Sequence, residues 1–301
     1  MMKKAFTMAE ILLSLTIIGV VAAITLPSLT GNINERTWNT QRKALYARMA
    51  QGMPLIDSLN TYSTAEEFVT GALSKVYKIN NICDKDHIED CGIPDKIVTL
   101  DAKTIDMPNT LSTLNDKFTD LSVTVEDDWS GSYSQKDTEA AAFETQNGES
   151  IIIFYNPSCA ADMGETSDFY TQSKVCLNFI YDLNGNKGPN TVGKDIGFLT
   201  AFYPSDSEIV APLPTHQAAS KSTTFDSASA LCNDLGAEYR LPNSLELSSM
   251  FTNQKLIGIA SGTYWSSSMI SADEAQYQSF TTGRRNIRPK NEKHFVRCVR
   301  R

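Results

Sequence analysis

Residues Ala5 to Pro27 read AFTMAEILLSLTIIGVVAAITLP, one apolar stretch broken near its start by a single carboxylate, Glu10. A run this continuous leaves few options for how the chain begins. As a helix at about 1.5 Å per residue, Phe6 to Leu26 spans roughly 31 Å, close to the hydrocarbon thickness of a bilayer. An acidic side chain at bilayer depth costs on the order of 2.5 to 3.5 kcal/mol on insertion scales, so Glu10 is expected to have a partner. Lys3 and Lys4 precede the stretch and no acid does. The positive-inside bias therefore keeps the short N-terminal end in the cytoplasm and places everything after Pro27 outside.

Three plain readings compete: a secretory signal peptide, an uncleaved single-span anchor and a buried core helix. The core helix fits worst, because such continuous apolar runs are rare in soluble domains. A signal peptide matches the short basic start, but its apolar region is normally about 7 to 15 residues, shorter than this one. The Ala22-Ala23-Ile24-Thr25 stretch also lacks a clean small-x-small cleavage site. Without Glu10 the plain anchor is the favoured reading.

With Glu10, the pattern resembles the class III leader of type IV pilins and type II secretion pseudopilins. In that family a short basic leader ends in Gly, cleavage exposes a Phe or Met amine that becomes methylated, and a Glu follows at the fifth mature position. The resemblance implies a leader of residues 1–5, cleavage by prepilin peptidase after Ala5, a mature terminus at Phe6 and an assembly role for Glu10. Thr7, Gly19 and Pro27 also match family habits. Ala5 stands where the family prefers Gly; small size is retained, and processing is expected. By implication Glu10 pairs with the Phe6 amine of a neighbouring subunit, since a carboxylate in hydrocarbon is tolerable when a cation matches it. The competing reading is a glutamate near the interface that snorkels without function.

Asn34 to Leu59 places Trp38, Leu45, Met49, Met53 and Ile56 at helix-like spacing among Arg36, Arg42, Lys43 and Arg48, so the helix is expected to continue past Pro27. Pro27 should kink or locally melt it, and Gly31 weakens the same region. The alternative is two helices divided there. The expected segments are a leader at 1–5, a transmembrane and stalk helix at 6–60, a pilin-like β head at 61–204, a linker at 205–224 and a final module at 225–301. The expected fold class is α+β: a long N-terminal transmembrane and stalk helix packed on an antiparallel β-sheet head, followed by a C-type-lectin-like α+β module.

With 41% hydrophobic and 21% charged residues and a net charge of −8, the part beyond the first helix reads as a folded, mildly acidic ectodomain. About 240 residues there suggest two globular modules. Six cysteines in an exported chain suggest disulfides, for which sequence permits fifteen connectivities. The nearest-neighbour set is expected: Cys83 with Cys91, Cys159 with Cys176, and Cys232 with Cys298. Zinc is a weak alternative, since no C-x-x-C pair occurs.

In the head, Leu121 to Val125 alternates, Ser150 to Tyr155 is an apolar strand after the turn Asn147-Gly148, and Val175 to Tyr181 alternates again. The segment Tyr181 to Ile196, YDLNGNKGPNTVGKDI, resembles one that pseudopilins and related pilins carry late in their heads. Within it Asp182, Asn184 and Asn186 alternate as hard oxygen ligands do in a calcium loop, and Asp195 joins them as a fourth candidate. An EF-hand needs Gly sixth and Glu twelfth; Lys187 and Gly193 stand there. The competing reading is a Gly- and Asn-rich turn whose side chains cap their own backbone.

Pro204, Pro212, Pro214 and the run Thr215 to Thr224 mark the linker. Beyond it, Asp226 to Leu235 is helix-like with Asp226 as an N-cap candidate. The sequences Tyr239 to Leu247 (YRLPNSLEL), Thr263 to Ser268 (TYWSSS), Tyr277 to Phe280 (YQSF) and Phe295 to Arg300 (FVRCVR) follow in order. They resemble a bacterial surface domain family of C-type-lectin-like fold, related to formylglycine-generating enzymes. In that architecture Cys232 on the first helix bridges to Cys298 on the last strand, worth about 2 to 4 kcal/mol by the chain-entropy model. Tyr264 and Trp265 read as core rather than as sugar-stacking aromatics. The calcium-dependent sugar motif of true lectins is absent, so lectin activity does not carry over.

Residues 284 to 301 hold eight Lys/Arg against the single acid Glu292. Arg284, Arg285, Arg288 and Lys290 are the candidates for binding an anionic polymer, DNA or glycan by counterion release; a solvated basic hairpin is the commoner explanation. Enzymatic readings find no G-x-S-x-G, no H-E-x-x-H, no phosphate loop and three histidines, His87, His216 and His294. The expected protein is thus a non-enzymatic subunit of a pilus-like or pseudopilus filament with a C-terminal display and binding module for adhesion or DNA capture, held in the inner membrane and then periplasmic or on the cell surface. Its expected partners are other pilin subunits and prepilin peptidase. The alternatives are a type II secretion pseudopilin contacting secreted substrate, and a monomeric anchored surface protein.

Overall fold

The computed structural model describes residues 8–56, 61–119, 138–157, 174–203, 209–218 and 221–301. It divides into two units, Met1–Ala44 and Leu45–Arg301, each considered by itself. Helix α1 is assigned over Met8–Gly52. It runs without a break through Pro27 and Gly31, so neither the expected local melting nor the alternative division into two helices occurs. Proline removes one amide donor, yet the backbone on either side of it stays helical. In the first unit the helix is polar along residues 35 to 43, where Arg42 donates to the Asn39 side chain at 2.8 Å and Thr40 back-bonds to the Arg36 carbonyl at 2.9 Å.

The expected fold class needs correction. Among the described residues no helix is long and apolar enough to cross a membrane. In place of that expectation, the described residues form a mixed α/β structure with several antiparallel sheets. The physical reason lies in the second unit, where apolar side chains from both halves of the sequence share one core.

In chain order this unit holds the last turns of α1, helix α2 (Ala65–Phe68), a π turn Val69–Leu73, α3 (Ser74–Val76), β1 (Ile79–Ile82), β2 (Lys96–Val98), β3 (Thr104–Asp106) and α4 (Leu111–Thr119). Then follow β4 (Glu139–Thr145), β5 (Ser150–Tyr155), β6 (Lys174–Asp182), β7 (Ile196–Tyr203), β8 (Ile209–Val210) and β9 (Leu213–Ala218). The rest is α5 (Phe225–Asp234), β10 (Tyr239–Arg240), α6 (Ser244–Thr252), α7 (Gln254–Ile257), β11 (Thr263–Met269), β12 (Glu274–Ser279), β13 (Arg285–Pro289) and β14 (Arg297–Arg300).

A six-stranded antiparallel sheet in the order β1-β4-β5-β6-β7-β8 forms the centre. Its β4–β5 hairpin turns at Asn147-Gly148, where Gly148 adopts φ +78° and donates its amide to the Thr145 carbonyl, the conformation glycine takes without steric cost. All six residues of β5 are buried, so the sheet is covered on both faces. On one face Phe68 stacks on Tyr155 at 4.7 Å, and the Tyr77 hydroxyl reaches the Leu45 carbonyl. On the other, Ile152, Phe154, Ile180, Phe198 and Phe202 share a single core cluster with Leu247, Met250, Phe251, Phe280 and Val299.

The C-terminal part contributes two three-stranded sheets, β10-β14-β9 and β11-β12-β13. Tyr264 and Trp265 are core residues: both are at most 2% exposed, Trp265 donates its ring N–H to the Thr223 carbonyl, and Tyr264 its hydroxyl to Ala260. The Arg240-Leu-Pro-Asn243 run starts α6 through a capping box. Asn243 Oδ1 accepts the Glu246 amide, and the Glu246 carboxylate accepts the Asn243 amide while receiving both ends of the Arg240 guanidinium at 2.7 Å. For α5 the cap is Thr224 rather than Asp226, which lies inside the first turn.

Candidate functional site

The segment between β6 and β7 is shaped by residues that accept left-handed backbone. Asn190 lies at φ +50° and Gly193 at φ +86°, and a Cβ on Gly193 would stand 3.1 Å from Leu100. Asparagine and glycine are the residues that visit this region at least cost. Asp195 is fully buried, and its carboxylate accepts the amides of Asn190 and Thr191, both at 2.8 Å. Asn190 Oδ1 accepts the Gly188 amide, and Asn184 donates its side-chain N–H to the Gly188 carbonyl. The Asn184 amide in turn donates to Asp182 Oδ1 at 3.1 Å. These bonds are what a self-capping turn requires.

Two oxygens fall outside that account. Asp182 is 4% exposed, and its Oδ2 is buried without a hydrogen-bond partner; Asn184 Oδ1 is buried and unpartnered as well. Burial, reinforced by the neighbouring Asp195 charge, pushes the Asp182 carboxyl up to about 7. A buried carboxylate oxygen without a donor is costly, and a hard cation satisfies carboxylate and amide oxygens together. Asp182 and Asn184 thus each keep one buried oxygen that the turn's own hydrogen bonds leave unused, while both oxygens of Asp195 are taken by amides and Asn186 is exposed. Among the described residues no cluster of three or more His, Cys, Asp or Glu occurs, which leaves oxygen-rich sites built with amide and backbone groups untouched. Asp182 also borders a void of about 20 Å³ walled mostly by Ile93, Met107, Ile152 and Ile180, a space on the scale of one water.

Of the assembly residues, Ala5 and Phe6 lie outside the described residues, and Glu10 falls in the first turns of α1. Disulfides join Cys83 to Cys91 and Cys232 to Cys298, with Cα separations of 5.6 and 5.5 Å. Cys176 is disulfide-bonded too, and Cys159 lies outside the described residues, as does the strand expected at 121–125.

The basic C-terminal residues are drawn into contacts with the body. Arg288 pairs with Glu292 at 3.6 Å and lies over the Tyr277 ring, and Lys290 donates to the Ala272 carbonyl while facing the Phe225 ring at 5.1 Å. Arg285 is held below the usual arginine range by burial, while Arg284 is half-buried. Arg297, 3% exposed, donates to the Ile257 carbonyl. A polyanion would have to compete with these contacts.

Two features carried no signal in the sequence. Arg48 on α1 is ion-paired with the buried Glu149, which also accepts from Thr145. Asn178 and Asn253 exchange amide bonds between β6 and the end of α6. Each joins segments 75 or more positions apart, beyond the reach of any local pattern. No protein-family model matches the chain, and comparison with curated proteins gives no match.

Proposed function

We propose that this chain is a non-enzymatic subunit of a type IV pilus-like or pseudopilus filament, delivered to the inner membrane, cleaved after Ala5 and assembled through its N-terminal segment. One observation carries the reading: Glu10 stands five positions into the mature sequence that begins at Phe6, inside an otherwise apolar run behind Lys3 and Lys4. A carboxylate there needs a cation, and the Phe6 amine, created by cleavage, supplies one on the neighbouring subunit. Mass spectrometry of the mature terminus tests this directly. A methylated Phe6 is the expected result; an intact Met1 or a cut after Ala23 would overturn the proposal. Replacing Glu10 with Gln should leave membrane insertion intact and reduce incorporation into filaments.

The body of the subunit carries a second role, calcium binding by the loop after β6. The supporting observation is the pair of unpartnered buried oxygens, Asp182 Oδ2 and Asn184 Oδ1, beside Asp195. Calcium would neutralise two carboxylates and fix the loop between β6 and β7. The expected outcome is a rise in melting temperature on adding calcium that chelator reverses and Asp182→Asn abolishes. A melting temperature indifferent to both reagents removes calcium from the account and leaves Asp182 as a buried protonated acid.

A further inference from the structure

Among the cations of residues 284–290, Arg285 differs from its neighbours. It opens β13, where it stands opposite Gln278 of β12, which in turn stands opposite Tyr264 of β11. Residues directly opposite in antiparallel strands share a face, so these three side chains form one row. That row lies on the side covered by α6: Gln278 is fully buried and accepts from the Ser248 hydroxyl at 3.3 Å, and Tyr264 packs edge-on against Phe280. The register thus carries the Arg285 guanidinium towards the body of the molecule. Its Nη2 is buried without a hydrogen-bond partner. Burial alone holds the group below the usual arginine range, with no carboxylate offsetting it.

Nearby groups that could meet this charge are engaged elsewhere. Gln278 gives its side-chain N–H to the Gly283 carbonyl while its oxygen serves Ser248. Glu292 pairs with Arg288 and Glu246 with Arg240, and Glu274 stands opposite Pro289 at the far end of the same two strands. Arginine does not shed its proton in proteins, and a buried charge without a counter-charge is costly. An anion from outside relieves that cost. Access exists, because β13 is an outer strand of its sheet and Arg285 is partly exposed. An added β-strand is a poor occupant: Asn286 Oδ1 already takes the Ile287 amide at 2.8 Å, and Pro289 has none to give. A small anion fits better, and the planar guanidinium fork favours two neighbouring oxygens over a spherical halide. Residues 284–290 hold four cations and no acid, a field that draws anions to this edge.

We propose that Arg285 anchors an oxyanion site at the outer edge of the β11-β12-β13 sheet, taking a phosphate or carboxylate group against its guanidinium. Neither the filament reading nor the calcium reading is required for it. The test uses full-length protein in detergent micelles with chelator, titrated by calorimetry and followed by melting temperature. The probes are sodium phosphate, sodium acetate and sodium chloride at matched ionic strength. A saturable response to phosphate or acetate is expected, with none to chloride, and the tighter of the two oxyanions identifies the group recognised. Arg285→Gln should abolish the response. Arg285→Lys, which keeps the charge but loses the fork, should weaken binding by about tenfold. Arg288→Gln, which removes only a surface ion pair with Glu292 and a contact with the Tyr277 ring, should leave the affinity within about twofold. The comparison of anions on the unaltered protein, together with Arg285→Lys, keeps the test valid if Arg285→Gln misfolds. Equal responses to oxyanions and chloride, no saturable response, or oxyanion binding unchanged by Arg285→Lys would each overturn the proposal.

Discussion

Asn178 and Asn253 donate and accept amide bonds with each other at 2.9 Å, and Thr200 adds its hydroxyl to Asn178 Oδ1 while meeting Ser249 at 2.7 Å. All four groups are buried, so each owes its satisfaction to the others. Asn253→Leu strands the Asn178 amide, and a loss of roughly 2 to 3 kcal/mol in urea unfolding is expected. The double change Asn178→Leu with Asn253→Leu should cost less than the two single losses added, because no buried amide is then orphaned. Asp182 predicts a different signature, one in pH. Its carboxyl is raised from 3.8 to about 7 in the folded state, so the folded protein holds a proton that the unfolded chain releases. Stability from this residue is full below pH 3.8 and declines as pH rises to about 7, where it levels off. Chelated protein should show that slope, and Asp182→Asn should flatten it. Calcium bound as proposed would reverse the preference, because it needs the carboxylate, and its affinity should then fall as pH drops through about 7.

At the scale of elements, what the sequence made legible was local. The β4–β5 hairpin follows from a left-handed Gly148 between two apolar runs, and β5 from six residues with no charge. The start of α6 is written in Arg240, Asn243 and Glu246, which close a capping box and an ion pair within seven positions. Asn243→Ala should therefore cost about 1 kcal/mol, more than the same change at the exposed Asn186, as read by chemical denaturation. The α5 cap was misplaced by two residues, since Thr224 and Asp226 are both acceptable cap residues and propensity alone does not choose between them. Asp182, Asn184 and Asn186 were visible as alternating oxygens with Asp195 as a fourth candidate, whereas the Arg48–Glu149 and Asn178–Asn253 pairs were not, since each joins segments 75 or more positions apart. The bridge from Cys232 in α5 to Cys298 in β14 spans 66 positions against 8 for Cys83 to Cys91. Replacing both cysteines of the long bridge with serine should lower stability by about 2 to 4 kcal/mol, and by more than the same change at the short one.

At the scale of the whole molecule, the decisive fact is a shared core. Composition shifts at residues 205–224, yet that stretch contains β8, which ends the six-stranded sheet, and β9, which belongs to the β10-β14-β9 sheet. The prolines there mark a passage between sheets, and side-chain contacts cross it freely. Phe154, Phe198 and Phe202 pack in the same cluster as Leu247, Met250 and Phe251, and the Asn178–Asn253 pair ties the two parts by hydrogen bonds. No local pattern announces such packing, because apolar periodicity shows which face is buried but not what covers it. Residues 45–301 are accordingly expected to unfold in one cooperative transition, with tryptophan fluorescence and far-ultraviolet circular dichroism coincident across a urea titration. A fragment of residues 221–301 retains the Cys232–Cys298 bridge and the Trp265 cluster, but exposes Leu247, Met250 and Phe251, each at 0% in the intact chain. Losing cover for three large side chains removes roughly 1.5 to 3 kcal/mol apiece, comparable with the whole stability of a small domain. Its amide NMR spectrum should therefore be poorly dispersed, whereas two separate urea transitions in 45–301, or a well-dispersed spectrum from the fragment, would show the two parts to be independent.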